Sequence, residues 1–264
     1  MHTFVLYCKS YKNDFDRVVN LVDSVNQYNT DNIPFYVSVP KEDVVLFKQI
    51  GNINVVDDND IVESNTPGWI QQQLVKANFW KLGIAENYLC LDSDSYFIRP
   101  FSFSDFMANK STPYTVIHEQ KELFSWTVAR KDVLGFDPKQ SYIEDREKVM
   151  SGVFERTGKY YDFGPSPVIW SAKVWKDLED KYMKLNGLEF KDLIAYSASE
   201  FTWYGEALLN FNSIELYPVE PLFKVFHYPQ QYLEYKQQNI TESMIAQNYM
   251  GIVMQSNYNP PLKY

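Results

Sequence analysis

The chain has 264 residues, enough for one large α/β domain or for a domain with a helical appendage. Hydrophobic residues make up 45 % of it, and the formal net charge of −9 argues against a nucleic-acid partner, which would require a basic surface. No apolar segment approaches the length of a membrane span, and the N-terminus has the pattern of a strand rather than of a signal peptide. Cys8 and Cys90 lie in strand-like apolar runs, so we expect buried, reduced thiols in a cytoplasmic protein.

The first sixty residues alternate between apolar runs and amphipathic segments. Three of the runs predict strands, namely Thr3 to Cys8, Pro34 to Val39 and Ile53 to Val56. Helices are predicted between them, the first capped by Asp14 and the second opening at Pro40. This alternation with short connections predicts parallel strands joined by right-handed crossovers. The acidic run Asp57 to Asp60 is interpreted as an exposed loop at a strand end, with a contact to a base or ribose as the alternative.

A helix is predicted next, from about Trp69 to Leu82, with Gly83 ending it. One stripe of this helix carries Trp69, Gln73, Lys76 and Trp80, with Gln72 beside it. Because the helix leads directly into the next strand, its polar stripe is expected near the end of that strand. Lys76 then either binds phosphate as a point charge or lies on a solvated helix face.

The strongest chemical signal is a short apolar run that ends in two carboxylates. Tyr88 to Leu91 predicts a buried strand, and Asp92-Ser93-Asp94 follows it directly. Ligands of open α/β sheets gather at the carboxyl ends of the strands, so these acids are expected to face a site. Carboxylates at i and i+2 can share one divalent cation, and oxygen ligands suit Mg²⁺ or Mn²⁺, which would neutralise a substrate diphosphate. A solvated acidic turn is the alternative, and the return to hydrophobic Tyr96-Phe97-Ile98 favours the metal site.

The pattern becomes less regular after Arg99-Pro100, with no internal repeat and no linker. Further strands are predicted at Tyr114 to Ile117, Phe124 to Ala129, Ile214 to Val219 and Phe223 to Tyr228, and further helices at Ser141 to Arg156, Val174 to Leu185 and from Ser197 onward. Ser197-Ala-Ser-Glu200 fits a capping box, in which Glu200 would close the helix N-terminus.

Several motifs in a fixed order carry a resemblance to a known family. They are Gly68-Trp69-Ile-Gln-Gln72, Lys76, Leu91-Asp92-Ser93-Asp94, Ser199-Glu200-Phe-Thr-Trp-Tyr204-Gly205 and the late His227. Their order resembles the GT-A fold of nucleotide-diphospho-sugar glycosyltransferases, and more closely a bacterial and phage glycosyltransferase-like family. The resemblance implies an α/β, Rossmann-like GT-A fold with a mostly parallel central sheet flanked by helices and an irregular C-terminal half. It implies a single domain over residues 1–264, in which residues 1–100 bind the nucleotide-sugar and residues 101–264 bind the acceptor and carry the tail.

The resemblance also implies an activity and roles for individual residues. The activity would be metal-dependent transfer of a sugar from a nucleoside-diphosphate-sugar donor to a carbohydrate acceptor hydroxyl, in surface polysaccharide synthesis. Asp94 and His227 would hold Mn²⁺ or Mg²⁺, while Asp92 would contact the ribose or the metal in its outer sphere. The donor-binding set would comprise Tyr7, Lys9, Trp69, Gln72, Lys76, Asp92 and Ser93. Glu200 would be the catalytic base of an inverting transferase, with the helix cap as its alternative role.

Two other classes of protein share parts of this pattern. A haloacid-dehalogenase-type phosphatase also uses an apolar strand ending in Asp-x-Asp, with the first aspartate as nucleophile. It needs a later acid pair, however, and Asp57-Asp58 precedes the motif. A non-catalytic carbohydrate-binding protein would use the high aromatic content equally well. A metal site together with Glu200 would discriminate against that class.

Overall fold

The computed structural model describes residues 1–63, 66, 68–134 and 138–255. The strands are β1 (His2–Lys9), β2 (Phe35–Val39), β3 (Asn54–Asp57), β4 (Ala85–Leu91), β5 (Ser95–Phe97), β6 (Thr115–Val116), β7 (Val168–Ser171), β8 (Pro218–Val219), β9 (Phe223–Phe226) and β10 (Gly251–Met254). The α-helices are α1 (Phe15–Tyr28), α2 (Val44–Phe47), α3 (Asp58–Ile61), α4 (Gly68–Asn78), α5 (Lys121–Val128), α6 (Lys131–Leu134), α7 (Pro138–Gly152), α8 (Ala172–Leu178), α9 (Phe190–Tyr196), α10 (Glu200–Phe211), α11 (Pro229–Gln237) and α12 (Glu242–Ile245).

The central sheet has the strand order β3-β2-β1-β4-β7. The first four of these strands run parallel, and β7 pairs antiparallel with β4 at one edge. The predicted mixed α/β class with a mostly parallel central sheet is therefore confirmed, and the arrangement is compatible with a Rossmann-like fold. Since Cys8 of β1 lies opposite Leu91 of β4, the residues that follow these two strands emerge side by side.

Two apolar cores cover the two faces of this sheet. On one face Leu6 and Cys8 of β1 pack with Val18 and Leu21 of α1. On the other face β1 and β4 pack against α4, α8 and α10, and the ring of Tyr7 stacks on Phe79 at a centroid distance of 3.8 Å. Burial on both faces explains why the parallel strands are continuous apolar runs rather than alternating ones. Cys8 and Cys90 are free thiols in these cores, as expected.

A second, smaller sheet is built from distant parts of the chain. Its strand order is β5-β10-β9, so β10 lies between a strand that follows the Asp-x-Asp motif and a strand from the C-terminal half. Strand β10 runs antiparallel to β5 and parallel to β9. The short strands β6 and β8 form a separate parallel pair.

Several local predictions need correction. Phe124 to Ala129, predicted as a strand, lies mostly in α5, where Phe124 and Thr127 are buried at helical spacing. Only Pro218 and Val219 of the predicted strand Ile214 to Val219 are in strand conformation. The helix predicted from Trp69 is confirmed: α4 continues as a 3₁₀ turn through Leu82 and ends at Gly83, whose φ of 64° is left-handed. Among the described residues, no helix is long and apolar enough to cross a membrane.

The predicted capping box at the start of α10 is also wrong. Ser197 is the C-cap of the preceding α9, and its backbone N–H donates to Leu193 O. The N-cap of α10 is Ser199, whose Oγ accepts a hydrogen bond from the Thr202 backbone N–H at 3.3 Å. Glu200 is therefore the first helical residue rather than the third, and Ser199 supplies the side-chain cap.

Candidate functional site

A cleft of about 460 Å³ opens at the carboxyl ends of the central parallel strands. We call it the strand-end cleft; its lining comprises Lys9, Ser10, Tyr11, Asp14, Pro40, Asp58, Gly68, Trp69, Gln71, Gln72, Asp92, Ser93, Asp94 and Gln255. The residues that follow β1 and β4 meet here because those strands are neighbours in register. This is the edge at which open α/β sheets bind their ligands.

The Asp-x-Asp motif forms a tight turn on this edge. The Ser95 backbone N–H donates to the Asp92 carbonyl at 3.2 Å, and the Ser95 hydroxyl donates to the same carbonyl at 2.6 Å. The turn ends β4 and starts β5, and both aspartates line the cleft. The turn therefore faces a cleft, with both aspartates half-buried, and the metal site stays a prediction.

An ion pair lies on another side of the cleft. Lys9, the last residue of β1, places its Nζ 2.8 Å from Asp58 Oδ2, and both side chains are nearly buried. Burial raises the pKa of the Asp58 carboxyl, and the neighbouring Lys9 ammonium opposes that rise. The predicted exposed loop at Asp57 to Asp60 is thus wrong for Asp58. Asp57 caps α3 by accepting a hydrogen bond from the Asn59 backbone N–H at 2.9 Å.

Three buried polar atoms of the cleft residues find no hydrogen-bond partner among the described residues. They are Ser10 Oγ, Asp58 Oδ1 and Gln71 Oε1. An unsatisfied buried polar group costs about 1–3 kcal/mol, so such atoms are normally matched by a ligand or by water. Because all three can accept a hydrogen bond, the matching ligand atoms would be N–H or O–H donors.

Two exposed aromatic side chains also line the cleft. Tyr11 follows β1 and is 44 % exposed, while Trp69 in the first turn of α4 is 55 % exposed. Large aromatic side chains left in solvent beside a polar cleft offer flat faces on which a base or a sugar ring can stack.

A buried cation lies directly behind the Asp-x-Asp turn. Lys76 of α4 is 3 % exposed; its Nζ donates a hydrogen bond to Asp92 Oδ1 and lies 3.7 Å from Glu200 Oε1. Burial by itself would lower the pKa of Lys76, but the Asp92 and Glu200 carboxylates raise it overall, so the lysine stays charged. The alternative of a solvated helix face is wrong for Lys76.

Glu200 is held at the other end of this ion-pair chain. Its backbone N–H donates to Gln73 Oε1 at 3.3 Å, and its side chain is buried. Burial raises the pKa of the Glu200 carboxyl, while the Lys76 ammonium opposes the rise. Lys76 thus joins the start of α10 to the end of β4, two points 108 residues apart in the sequence.

The structure gathers most, but not all, of the predicted site residues. Lys9, Trp69, Gln72, Asp92, Ser93 and Asp94 all line the strand-end cleft. Lys76 and Glu200 lie behind it. Tyr7 is different: it is fully buried in the core, and its hydroxyl pairs with Ser38 Oγ at 2.9 Å. We therefore correct the expected donor contact of Tyr7 to a core position beneath the cleft.

His227 lies apart from the cleft lining. It lines a second cavity of about 480 Å³, where burial lowers its pKa to about 4 and keeps the imidazole neutral. Among the described residues, no group of three His, Cys, Asp or Glu side chains stands in a metal-binding arrangement. Asp92 and Asp94 thus share the strand-end cleft, while His227 lines the second cavity, and the metal set of these three residues stays a prediction.

Sequence reasoning gave no site role to several residues of the cleft, among them Ser10, Tyr11, Gln71 and Gln255. Ser10 and Tyr11 directly follow the first strand, so the strand-end rule that singled out Asp92 would also have found them. Gln71 lies in the motif Gly68-Trp69-Ile-Gln-Gln72, next to Gln72, but off the stripe that holds Lys76. Gln255 had no such signal, because its place depends on β10 pairing with β5.

Comparison with protein families gives one assignment. Residues 4–243 match the model described as "Family of unknown function (DUF6492)". Because the match covers most of the sequence, the chain belongs to this family. A search of curated proteins finds no match.

Proposed function

We propose that this DUF6492 chain is a metal-dependent glycosyltransferase. It would bind a nucleoside-diphosphate-sugar in the strand-end cleft and transfer the sugar to a carbohydrate hydroxyl, in surface polysaccharide synthesis. The observation that supports this most is the composition of the cleft: the carboxylates of Asp92 and Asp94, two exposed aromatic rings and three unpartnered hydrogen-bonding atoms meet at the ends of parallel strands.

A nucleoside diphosphate matches each part of that lining. Its base would stack on Trp69 or Tyr11, and its base and ribose would supply the N–H and O–H donors that Ser10, Asp58 and Gln71 lack. Its diphosphate would lie at the Asp92-Ser93-Asp94 turn. Both lysines near the cleft are already engaged, Lys9 by Asp58 and Lys76 by Asp92. A further positive charge is therefore needed to hold an anion beside two carboxylates.

Asp92 and Asp94 would hold that charge as Mg²⁺ or Mn²⁺. Sites of this type use one or two protein carboxylates and complete their coordination with substrate phosphate and water. The bound ion would neutralise the negative charge that the leaving diphosphate gains. Lys76 helps by fixing one oxygen of Asp92, so that this carboxylate has a defined orientation.

Glu200 is the proposed base. In an inverting transfer, the acceptor oxygen forms a bond to the anomeric carbon while the bond to the diphosphate breaks and its electron pair leaves with the phosphate. The acceptor's proton then goes to a carboxylate. A carboxyl whose pKa is raised by burial is a stronger base near neutral pH than an exposed one.

Calorimetric titration with UDP and GDP, each with and without Mn²⁺, tests the proposal. We expect binding by at least one nucleotide that requires Mn²⁺ and is lost in Asp94→Asn. Asp23→Asn removes the same charge from the exposed side of α1 and should leave binding unchanged. Nucleotide binding that Asp94→Asn leaves intact, or its absence in the native protein, would contradict the proposal. Release of phosphate from a phosphomonoester that depends on Asp92 would instead indicate the phosphatase class.

A further inference from the structure

The second cavity has a lining of its own. It is formed by Ile117, His118, Glu119, Gln120, Lys121, Glu122, Leu123, Tyr161, Pro165, Glu220, Pro221, Phe223, Lys224, Val225, His227, Gln231 and Tyr249. None of these residues lines the strand-end cleft. Its volume of about 480 Å³ lies in the range of small-molecule sites.

One buried side chain of this lining is unsatisfied. Gln120 is 5 % exposed, and its Nε2 amide has no hydrogen-bond acceptor among the described residues. Its backbone φ of 52° is left-handed, a conformation uncommon for residues other than glycine. The cavity wall thus contains a buried hydrogen-bond donor on a residue with an unfavourable backbone conformation. Such strained residues occur often at ligand-binding sites. The missing partner is an acceptor such as a hydroxyl or carbonyl oxygen.

The charges of the cavity largely neutralise one another. Buried Lys224 is hydrogen-bonded to Glu122, and Glu119 lies 2.9 Å from Lys159 and 3.5 Å from Lys121. His227 is neutral at physiological pH because burial lowers its pKa to about 4. Paired charges and a neutral imidazole favour an uncharged polar ligand over a phosphate or a strongly cationic one.

Aromatic and carboxylate groups complete the chemistry. Tyr161 and Tyr249 present rings, with Pro165 and Pro221 adding apolar surface. Glu220 is exposed at the cavity and has no ion pair among the described residues, so its carboxylate can accept hydrogen bonds from hydroxyls. This lining suits a carbohydrate. The aromatic rings can pack against the C–H face of a sugar, and the polar side chains can accept hydrogen bonds from its hydroxyls or donate to them.

We propose that the second cavity binds a neutral saccharide. Its identification as the acceptor site rests on the proposed glycosyltransferase function, whereas saccharide binding itself does not. Gln120 would donate to a sugar oxygen, Glu220 would accept from a hydroxyl, and the ring of Tyr249 would contact the apolar face.

Saturation-transfer NMR with maltose, cellobiose and lactose at millimolar concentration tests this on the full chain. We expect saturation of at least one disaccharide by the native protein. Gln120→Met keeps the side-chain length and removes the amide, so it should weaken binding about fivefold, the effect of roughly one hydrogen bond. Tyr249→Ala should abolish the signal. Gln247→Met makes the same chemical change at an exposed position and should have no effect.

Two further variants keep the result decisive. Glu220→Gln changes an exposed side chain, so it should fold normally and still weaken binding, even if the buried variants fail to fold. Trp69→Ala should lose nucleotide binding and keep saccharide binding. No signal from the native protein, or a signal lost in Trp69→Ala and retained in Gln120→Met, Tyr249→Ala and Glu220→Gln, would overturn the proposal. Failure of the nucleotide titration alone would remove the acceptor role and leave the saccharide site in place.

Discussion

The strand-end cleft and the second cavity have nearly equal volumes. Each has a buried lysine: Lys76 lies directly behind the cleft, and Lys224 lines the second cavity. They differ in how that lysine is neutralised. Lys76 and its partners Asp92 and Glu200 are all largely removed from solvent. Lys224 is also buried, but the side chain of its partner Glu122 is 65 % exposed. Asp92 and Glu200 are therefore held inside the fold, whereas Glu122 of the second cavity reaches into solvent.

This difference predicts different responses to ligand and to mutation. A site whose charges are fixed in advance suits a reaction, because little reorganisation is needed when charge develops. A site whose carboxylate can turn toward solvent suits ligands of varying shape. Breaking a buried ion pair strands a charge, while breaking a half-exposed one leaves the remaining carboxylate in water.

The largest effect is expected from removing the buried cation of the cleft. Lys76→Met leaves Asp92 and Glu200 facing each other without a counter-charge, and breaking a buried pair in this way costs about 3–5 kcal/mol. Urea denaturation measures the change in the free energy of unfolding.

Lys224→Met is the matched control in the second cavity. It removes an equally buried lysine but leaves Glu122 in solvent, and the new thioether packs against the rings of Phe226 and Tyr235. We expect a change within about 1 kcal/mol. If Lys76→Met and Lys224→Met lower the free energy of unfolding equally, the exposure of the partner carboxylate does not decide the cost of losing the lysine.

The next effect concerns catalysis at the cleft. Glu200→Gln keeps the shape of the side chain and removes its ability to take a proton, so sugar transfer should fall at least about a hundredfold. Its melting temperature should stay close to the native value, because Ser199 rather than Glu200 supplies the side-chain cap of α10 and Lys76 retains Asp92.

Transfer by Glu200→Gln within a few-fold of the native rate would exclude Glu200 as the base. Two other acids of the C-terminal half, Asp162 and Glu206, are the next candidates, but both are buried and engaged. Asp162 accepts hydrogen bonds from Tyr142 and from the Gly164 backbone, and Glu206 is held by two hydrogen bonds from Arg156.

The smallest expected effect is the pH dependence that His227 of the second cavity gives to the free energy of unfolding. Burial gives His227 a pKa of about 4 in the folded chain, below its ordinary value of 6.5, with Asp162, Lys224 and His118 as the titratable side chains around it. The unfolded chain therefore binds more protons between these values, so the stability that this group contributes is complete above pH 6.5 and is lost as the pH falls toward 4.

His227→Gln should remove this dependence. Since the ring is partly exposed, we expect native stability to fall by only about 1 kcal/mol more than that of the variant between pH 7 and pH 5. Denaturation at the two pH values measures it, with His2→Gln at an exposed site as the control. If the free energy of unfolding changes with pH in the same way in the native protein and in His227→Gln, folding does not shift the pKa of His227, and water reaches its ring.

The two regions also differ in how far the sequence predicts them. The apolar runs of β1, β2, β3 and β4 are local signals, and the strand-end rule places Asp92 and Asp94 at the cleft without any tertiary information. The sequence does not decide whether Lys76 binds phosphate or lies on a solvated helix face, because its partner Glu200 lies 124 residues later. Tyr7 was misplaced because both faces of β1 are buried, so strand alternation could not tell core from cleft.

The second cavity had no comparable signal. Its walls come from a segment predicted as a strand that forms α5, from a loop residue at Tyr161 and from β9. Each of these is short, and none has a periodicity that points to its neighbours. Gln120 in particular gains its meaning only from a left-handed backbone and an unpartnered amide, which are tertiary properties.

Strand β10 has a consequence for how the protein is made. All strands of the central sheet have left the ribosome once residue 171 has emerged, but β10 must still be inserted between β5 and β9. The Met254 backbone N–H then donates to the Asp94 carbonyl, and the Gln255 N–H to the Phe226 carbonyl, next to His227. A nascent chain can therefore contain every strand of its central sheet and still lack one wall of the strand-end cleft until β10 and Gln255 are translated. A premature stop codon just before Gly251 would yield a chain that has the strands of the central sheet but lacks both the middle strand of the smaller sheet and the Gln255 side of the strand-end cleft.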